Sequence, residues 1–283
     1  MANIIIAGKR YENISKITFN TPTGGKATFV LYDGTIDNTP AVFDRVFANN
    51  TPAQISAVSE EIASNGYTSA QVAEIYGWNI GDTITIPLST GENIEMQIIG
   101  INHDTLSSDH TSKAGLTLQM VNCLATQYPM NIEDTNAGGY AASKMKTETL
   151  PTLKALLPQE WQDVIKLVDK KSANGGSTNY TETLTTSEDL FLFAEIEIFG
   201  TISYAQDGAN EGSVYEYWNG KVAVDRIKNS DTDADGMADT VTKWWLRSVK
   251  STNITGFCNI NSAGNIISTY ATASNGISFA FCI

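Results

Sequence analysis

The sequence is poor in the residues on which many chemistries depend. Its 283 residues include three cysteines, Cys123, Cys258 and Cys282, and two histidines, His103 and His110. The cysteines are odd in number and irregularly spaced. They supply neither a CxxC metal framework nor a disulfide scaffold, and are expected to be free thiols packed as small apolar side chains. Basic residues are also scarce: 18 Lys and Arg stand against 31 Asp and Glu, a formal charge of −13. That balance excludes the dense cationic stripe that a nucleic-acid-binding surface needs. Apolar runs are short, such as Phe191-Leu192-Phe193-Ala194, so no membrane-inserted helix of about 20 residues is expected. The opening residues lack a charged leader followed by a long apolar region, and no secretory signal is expected. Walker, GxSxG, HExxH and dinucleotide fingerprints do not occur.

What is present reads as an α+β chain, with 42% hydrophobic residues to build a core. Ile4-Ile5-Ile6, Ile14 to Phe19 and Ala27 to Tyr32 are strands punctuated by Gly, Pro and Asp. A segment this short cannot bury an independent core, so residues 1–36 are expected to anchor the chain to a partner. Residues 37–77 turn helical and are expected to act as a spacer. Thr51-Pro52 is a cap followed by a first-turn proline, Ile55, Val58 and Ile62 recur at helical spacing up to Gly66, and Thr68 opens a second helix that stops at Gly77.

From Trp78 to Ile283 the pattern predicts one larger domain. Asp82 to Leu88 and Ile94 to Ile101 form a β-hairpin about Thr90-Gly91. Residues 143–157 and 159–171 read as helices, the second with an apolar face of Trp161, Val164, Ile165 and Val168. Ser172 to Thr186 reads as a loop. Leu190 to Phe199 reads as a strand whose alternating Glu195 and Glu197 face solvent.

Catalytic constellations are thin. His103-Asp104 and Asp109-His110 invite a metal or acid/base reading, but no nucleophile stands at a recognisable spacing, and hydrogen-bonded turns explain them. Glu195 and Glu197, about 7 Å apart by strand rise, suit paired carboxylates less well than a solvent face. An enzyme is not expected.

The sharpest local motif is Asp231-Thr-Asp233-Ala-Asp235-Gly236-Met-Ala-Asp239. Alternate carboxylates of Asp231, Asp233, Asp235 and Asp239, with the Met237 carbonyl, are spaced to converge on a hard cation, and Gly236 permits the turn. A structural Ca2+ is the expected ion. Thr242 stands at the twelfth position, where a calcium hand places a bidentate Glu. A solvated acidic turn is the alternative.

The last 33 residues, Ser251 to Ile283, contain no Asp, Glu, Lys or Arg, and 13 of the 25 residues from 251 to 275 are Asn, Ser or Thr. Alternation in Phe257 to Asn261, a turn at Ser262 to Asn265 and a return over Ile266 to Ala271 predict strands rather than disorder. Ile277, Phe279, Phe281 and Ile283 mark the buried face of a last strand. Short uncharged polar side chains beside a tyrosine are the chemistry of adaptable binding surfaces. An Asn/Thr-rich edge that binds nothing accounts for the composition equally well.

Trp244-Trp245-Leu246-Arg247-Ser248, Gly256-Phe257-Cys258, Asn261-Ser262-Ala263-Gly264 and Asn275 to Cys282 resemble the WWLRS-type, C-type-lectin-like proteins of phages and prophages of Gram-positive bacteria. Tyr76 to Asp82, Ile98 to Asp104, Lys113 to Thr117, Asn136 to Gly139, Leu156 to Pro158 and Glu197 to Gly200 follow in the same order, so the resemblance spans residues 50–283. Val249 stands where many relatives have Pro, and Ser278-Phe279 where many have Arg-Pro. Many relatives also lack the Asp231 to Asp239 acids. The resemblance implies a C-type-lectin-like fold over 78–283 and a place on the virion, at the tail tip, baseplate or a fibre. It further implies a face contacting a host glycan or protein, which some relatives diversify through a retroelement.

On this chain that face would comprise Thr252, Asn253, Thr255, Asn259, Asn261, Ser268, Tyr270, Thr272 and Ser274. Trp244, Trp245, Leu246 and Phe279 would be core, with Arg247 holding polar backbone beside them. Residues 1–36 would bind other virion proteins, and homo-oligomeric display would multiply a modest affinity. The alternative is a capsid-decorating fibre or tail-assembly component without a specific ligand.

Overall fold

In a computed structural model, residues 2–6, 9–14, 16–20 and 26–30 are described by their backbone, and residues 43–179, 182–206, 210–230 and 239–283 in full. The chain divides into two units, Met1–Phe43 and Asp44–Ile283. In the first, β1 (Ala2–Ile6) pairs antiparallel with β2 (Lys9–Ile14), and β3 (Lys16–Asn20) with β4 (Lys26–Val30). The strand reading of the opening segment agrees with these hairpins in kind, with the second run divided between β2 and β3.

The second unit opens with two helices whose ends follow the sequence signals. In α1 (Pro52–Asn65) the Thr51 hydroxyl accepts from the Gln54 N–H, the Gln54 side chain accepts from the Thr51 N–H, and Gly66 closes the helix at φ +62°. Thr68, Gln71 and Gly77 repeat the arrangement around α2 (Ser69–Tyr76). These helices are not the spacer expected over 37–77. The α1 stripe of Ile55, Val58, Ser59 and Ile62 is buried within the unit, because an apolar stripe of this kind has to be covered. The Ser59 hydroxyl donates to the Ile283 carbonyl, and a Cβ on Gly115 would lie 2.0 Å from the Ser59 carbonyl oxygen, so α1 sits directly against residues 115 and 283.

The hairpin of β5 (Thr83–Pro87) and β6 (Asn93–Ile101) forms as read and continues into β7 (Leu116–Met120). A π-helical turn, Met145–Thr149, leads into α3 (Leu150–Lys154). The helix expected over 159–171 ends after one turn as α4 (Gln159–Gln162), and β8 (Val168–Ala173) follows. There the side chains of Val168, Lys170 and Ser172 are buried while Lys171 is exposed, a period of two in place of 3.6. β8 pairs with β9 (Thr183–Glu188), so much of the expected 172–186 loop is hairpin.

β10 (Leu190–Phe191) is short, and Leu190 to Phe199 is not the strand expected of it: residues 195–199 form α5 (Glu195–Phe199). The Glu197 carboxylate reaches back to the Ala194 N–H at 2.9 Å, and Gly200 ends the helix at φ +69°. Glu195 and Glu197 are consequently buried rather than facing solvent.

The remaining strands are β11 (Lys228–Ser230), β12 (Thr240–Thr242), β13 (Trp244–Val249), β14 (Gly256–Ile260), β15 (Ile266–Tyr270) and β16 (Ala280–Cys282). The unit is thus mixed α and β, with several small sheets. Five strands run in the order β10-β16-β7-β6-β5, three in the order β13-β14-β15, and β8-β9 and β11-β12 are two-stranded. The β14–β15 hairpin about residues 261–265 is the one read from the sequence. Trp244, Trp245, Leu246 and Phe279 are core, and Trp218 stacks on Trp244 at 6.4 Å. Cys123, Cys258 and Cys282 are buried free thiols. Cys258 and Cys282 lie in different sheets that share one apolar cluster.

Candidate functional site

The expected binding residues lie on and around the β14–β15 hairpin, and their surroundings sort them. Thr252, Tyr270, Thr272 and Ser274 are exposed, while Asn253, Thr255, Asn261 and Ser268 are half-buried. Asn259 is buried, so it is not a surface contact: on fully buried β14 it donates from Nδ2 to the Thr269 hydroxyl. Two other asparagines fold their own turns. The Asn261 Oδ1 accepts from the Ala263 and Asn265 N–H groups at 2.9 and 3.0 Å, and the Asn253 Oδ1 accepts from the Thr255 N–H at 3.1 Å.

Three loops meet on this face. The Asn131 N–H donates to the Ala271 carbonyl at 3.0 Å, the Asn136 N–H to the Ile254 carbonyl at 2.8 Å, and the Ala271 N–H to the Thr255 carbonyl at 2.9 Å. Thr272 donates from its N–H and its hydroxyl to the Asp134 Oδ1, at 3.1 and 2.5 Å. Segment 131–136 thereby joins the face, a contribution that the sequence reading missed. The loops expose Ile132 at 76%, Tyr270 at 61% and Ile254 at 49%. Glu133 and Asp134 are exposed beside them. A cleft of about 490 Å³ lined by Ile132, Glu133, Lys144 and Glu148 adjoins the loops.

The acidic loop of Asp231, Asp233, Asp235 and Met237 lies outside the described residues. Asp239, its last member, is exposed. Among the described residues no group of three or more His, Cys, Asp or Glu side chains is placed to hold a metal ion.

A buried ion network is the second constellation. Arg247 grips Glu197 with both Nη atoms, at 2.5 and 2.9 Å. It also donates to the carbonyls of Lys171, Leu192 and Glu211 at 2.9, 2.8 and 2.6 Å, which bears out its expected hold on polar backbone. Glu197 passes the contact to Lys170 at 2.8 Å, and Lys170 to Asp104 at 2.7 Å. The Tyr215 hydroxyl accepts from Lys170 at 2.8 Å and donates to Asp104 at 2.9 Å, and the Thr117 hydroxyl donates to Asp104 at 2.6 Å.

Two anions therefore meet two cations, and each carries further hydrogen bonds, the condition under which buried charge is tolerated. Burial alone would raise the Asp104 and Glu197 carboxyls. Lys170 beside the first, and Arg247 with Lys170 beside the second, outweigh it and hold both below the ordinary carboxylate range. Glu211 takes the opposite direction: burial raises it, against the pull of Arg247 and the Ser248 hydroxyl. Glu195 has no cation partner among the described residues, and its oxygens accept from the N–H groups of Ser203, Tyr204 and Ala205 and from the Ser203 hydroxyl.

Both histidines border a cleft of about 590 Å³ that opens onto this network, with Asp104, Lys170, Glu197 and Glu211 also in its wall. His103 stacks on Tyr215 at 3.9 Å, and His110 Nδ1 meets Asp169 at 2.7 Å. The turn expected at Asp109 is present, with Thr111 and Ser112 donating to its carboxylate. Asp104 belongs to the ion network instead. Asp104, Lys170, Glu197 and Glu211 in its wall are each bonded to other protein groups.

Residues 114–283 match the family described as "Domain of unknown function (DUF6273)", and the chain belongs to that family. The match begins just before β7 and contains Lys170, Glu197, Glu211, Tyr215 and Arg247. Asp104 lies outside it. No curated protein and no solved structure matches the chain.

Proposed function

We propose that this chain is a structural component of a phage or prophage particle that presents a C-type-lectin-like receptor-binding face. The observation that supports this best is the surface formed by segments 131–136, 252–255 and 270–274. Three mutually hydrogen-bonded loops there hold exposed Tyr270 and Ile254, from the stretch Ser251 to Ile283 that carries no charged residue, beside exposed Ile132. The resemblance over the WWLRS blocks supports the virion location and the lectin-like fold. On this reading residues 1–36 attach to other virion proteins, copies assemble to raise avidity, and the chain binds rather than catalyses. A Ca2+ at Asp231, Asp233, Asp235, Met237 and Asp239 would brace the approach to Trp244.

The experiment is competition. Purified full-length chain, with and without a calcium chelator, is added to host cells before virions. Saturable binding that blocks adsorption is expected. Failure of a folded, multimerised chain to bind or to compete would move the assignment to a fibre without a ligand.

A further inference from the structure

We infer that the partner of this face is the surface of a protein with a basic rim, not a saccharide, an inference that rests on the receptor-binding reading above. A saccharide is recognised largely through hydrogen bonds to its hydroxyls. Several of the polar groups that the sequence places here, all of its asparagines among them, are engaged within the face itself. The Asn261 and Asn253 side-chain oxygens hold their own turns, Asn259 is buried, and the Thr272 hydroxyl is taken by Asp134. The Asn136 Nδ2 is taken by the Asn253 and Gly256 carbonyls.

Beside the exposed hydroxyl residues Thr252 and Ser274, large apolar side chains are left open. Ile132, Ile254 and Tyr270 are three of the nine exposed large hydrophobic residues among those described, and they come from three segments tied to one another. Isoleucine offers a sugar hydroxyl no hydrogen bond. A tyrosine flanked by aliphatic side chains and bounded by polar residues is instead the pattern of a protein–protein hot spot. The charged groups nearby are mainly acidic: Glu133, Asp134 and Glu148 are exposed, with Lys144 the half-buried cation of the adjoining cleft. Complementarity asks for basic residues around the partner's apolar centre.

The test uses labelled full-length chain on host cells treated with a broad-specificity protease or with periodate. Protease is expected to abolish saturable binding and periodate to leave it. Ile132→Ser and Ile254→Ser are each expected to weaken binding about ten-fold with unchanged thermal unfolding, and Glu133→Lys to slow association. Binding that survives protease but is lost after periodate overturns the inference and leaves the receptor reading standing. Saturable binding indifferent to both isoleucine variants also overturns it. Absence of saturable binding to untreated cells overturns the receptor reading, and this inference with it.

Discussion

Arg247 on β13 and Glu197 on α5 meet through a two-point contact, 2.5 and 2.9 Å, with both side chains almost wholly buried. The pair joins two elements 50 residues apart in sequence, and Lys170 extends the link to β8 and Asp104. Its expected role is to fix these elements in one arrangement, because neither charge is tolerated there without the other.

Removing one partner should therefore cost far more than a surface ion pair. Glu197→Ala is expected to destabilise the fold by about 3–5 kcal/mol, because it strands the Arg247 guanidinium in the interior. Arg247→Lys should also be strongly destabilising, since an ammonium cannot replace the paired Nη contacts and three carbonyl contacts. Lys166→Ala, which removes a pair with exposed Glu60 at 2.9 Å, should change stability by less than about 1 kcal/mol. Urea unfolding of the three variants checks the ranking.

The pH dependence has a definite sign. Burial lowers the pKa of His103, so on acidification the unfolded chain takes this proton before the folded one, and stability declines below about pH 6.5. Asp104 and Glu197 are held low in the folded state. Their contribution is present above the ordinary carboxylate range and is lost as the pH falls through their folded values. Glu211, raised by burial, works the other way and offsets part of the second loss. The His110–Asp169 contact raises His110 and opposes the first step, but it is surface-exposed and screened. Melting temperature should fall in two stages between pH 7 and pH 3, and His103→Gln should flatten the first.

Lys228 is a buried cation of another kind. Its ammonium donates to the Met120 and Val121 carbonyls at 2.7 Å each and lies 5.2 Å from the centre of the Trp244 ring. Burial pushes it down to about 8. Below that pH the folded state carries a charge that burial disfavours, and the penalty is relieved as the folded lysine loses its proton while the unfolded one keeps it. Stability relative to Lys228→Met should rise between pH 8 and pH 9.5, by an amount on the order of 1–3 kcal/mol. Parallel chemical denaturation of the two proteins measures the difference.

The buried and exposed members of the carboxy-terminal set should separate cleanly. Tyr270→Ala is expected to leave unfolding within about 0.5 kcal/mol while lowering binding to cells. Asn259→Ala should cost about 1–2 kcal/mol, because it removes the bond to Thr269 from a packed strand. A Tyr270→Ala protein with normal adsorption would remove Tyr270 from the binding face.

Two glycines test how closely segments approach. Gly66 and Gly264 both have positive φ, +62° and +75°, yet a Cβ on Gly66 meets nothing within 4 Å, whereas one on Gly264 would lie 1.7 Å from the Ala223 carbonyl oxygen. Gly66→Ala should cost about 1 kcal/mol of backbone strain. Gly264→Ala should cost several times that, because the backbone of segment 223–226 must also move. Thermal unfolding of both variants gives the comparison.

Local signals in the sequence determined the capped helices α1 and α2, the β5–β6 and β14–β15 hairpins and the buried free cysteines. Each of these follows from neighbours within a few positions: a capping hydroxyl, a turn glycine, a period of two. The family resemblance assigns Arg247 a hold on polar backbone, which it makes, but not its carboxylate partner Glu197. What only tertiary structure decided is where side chains with two acceptable readings end up. Val164 to Lys171 fits a helix by its apolar spacing, yet Val168 to Ala173 becomes a strand because it pairs with β9. Glu195 and Glu197 fit a solvent face by alternation, yet they are buried because Gly200 and the Glu197 back-bond close a helical turn there, and Arg247 arrives from 50 positions away. A buried charge is stable only beside its counter-charge. The sequence records both residues, but chain folding alone sets the distance between them.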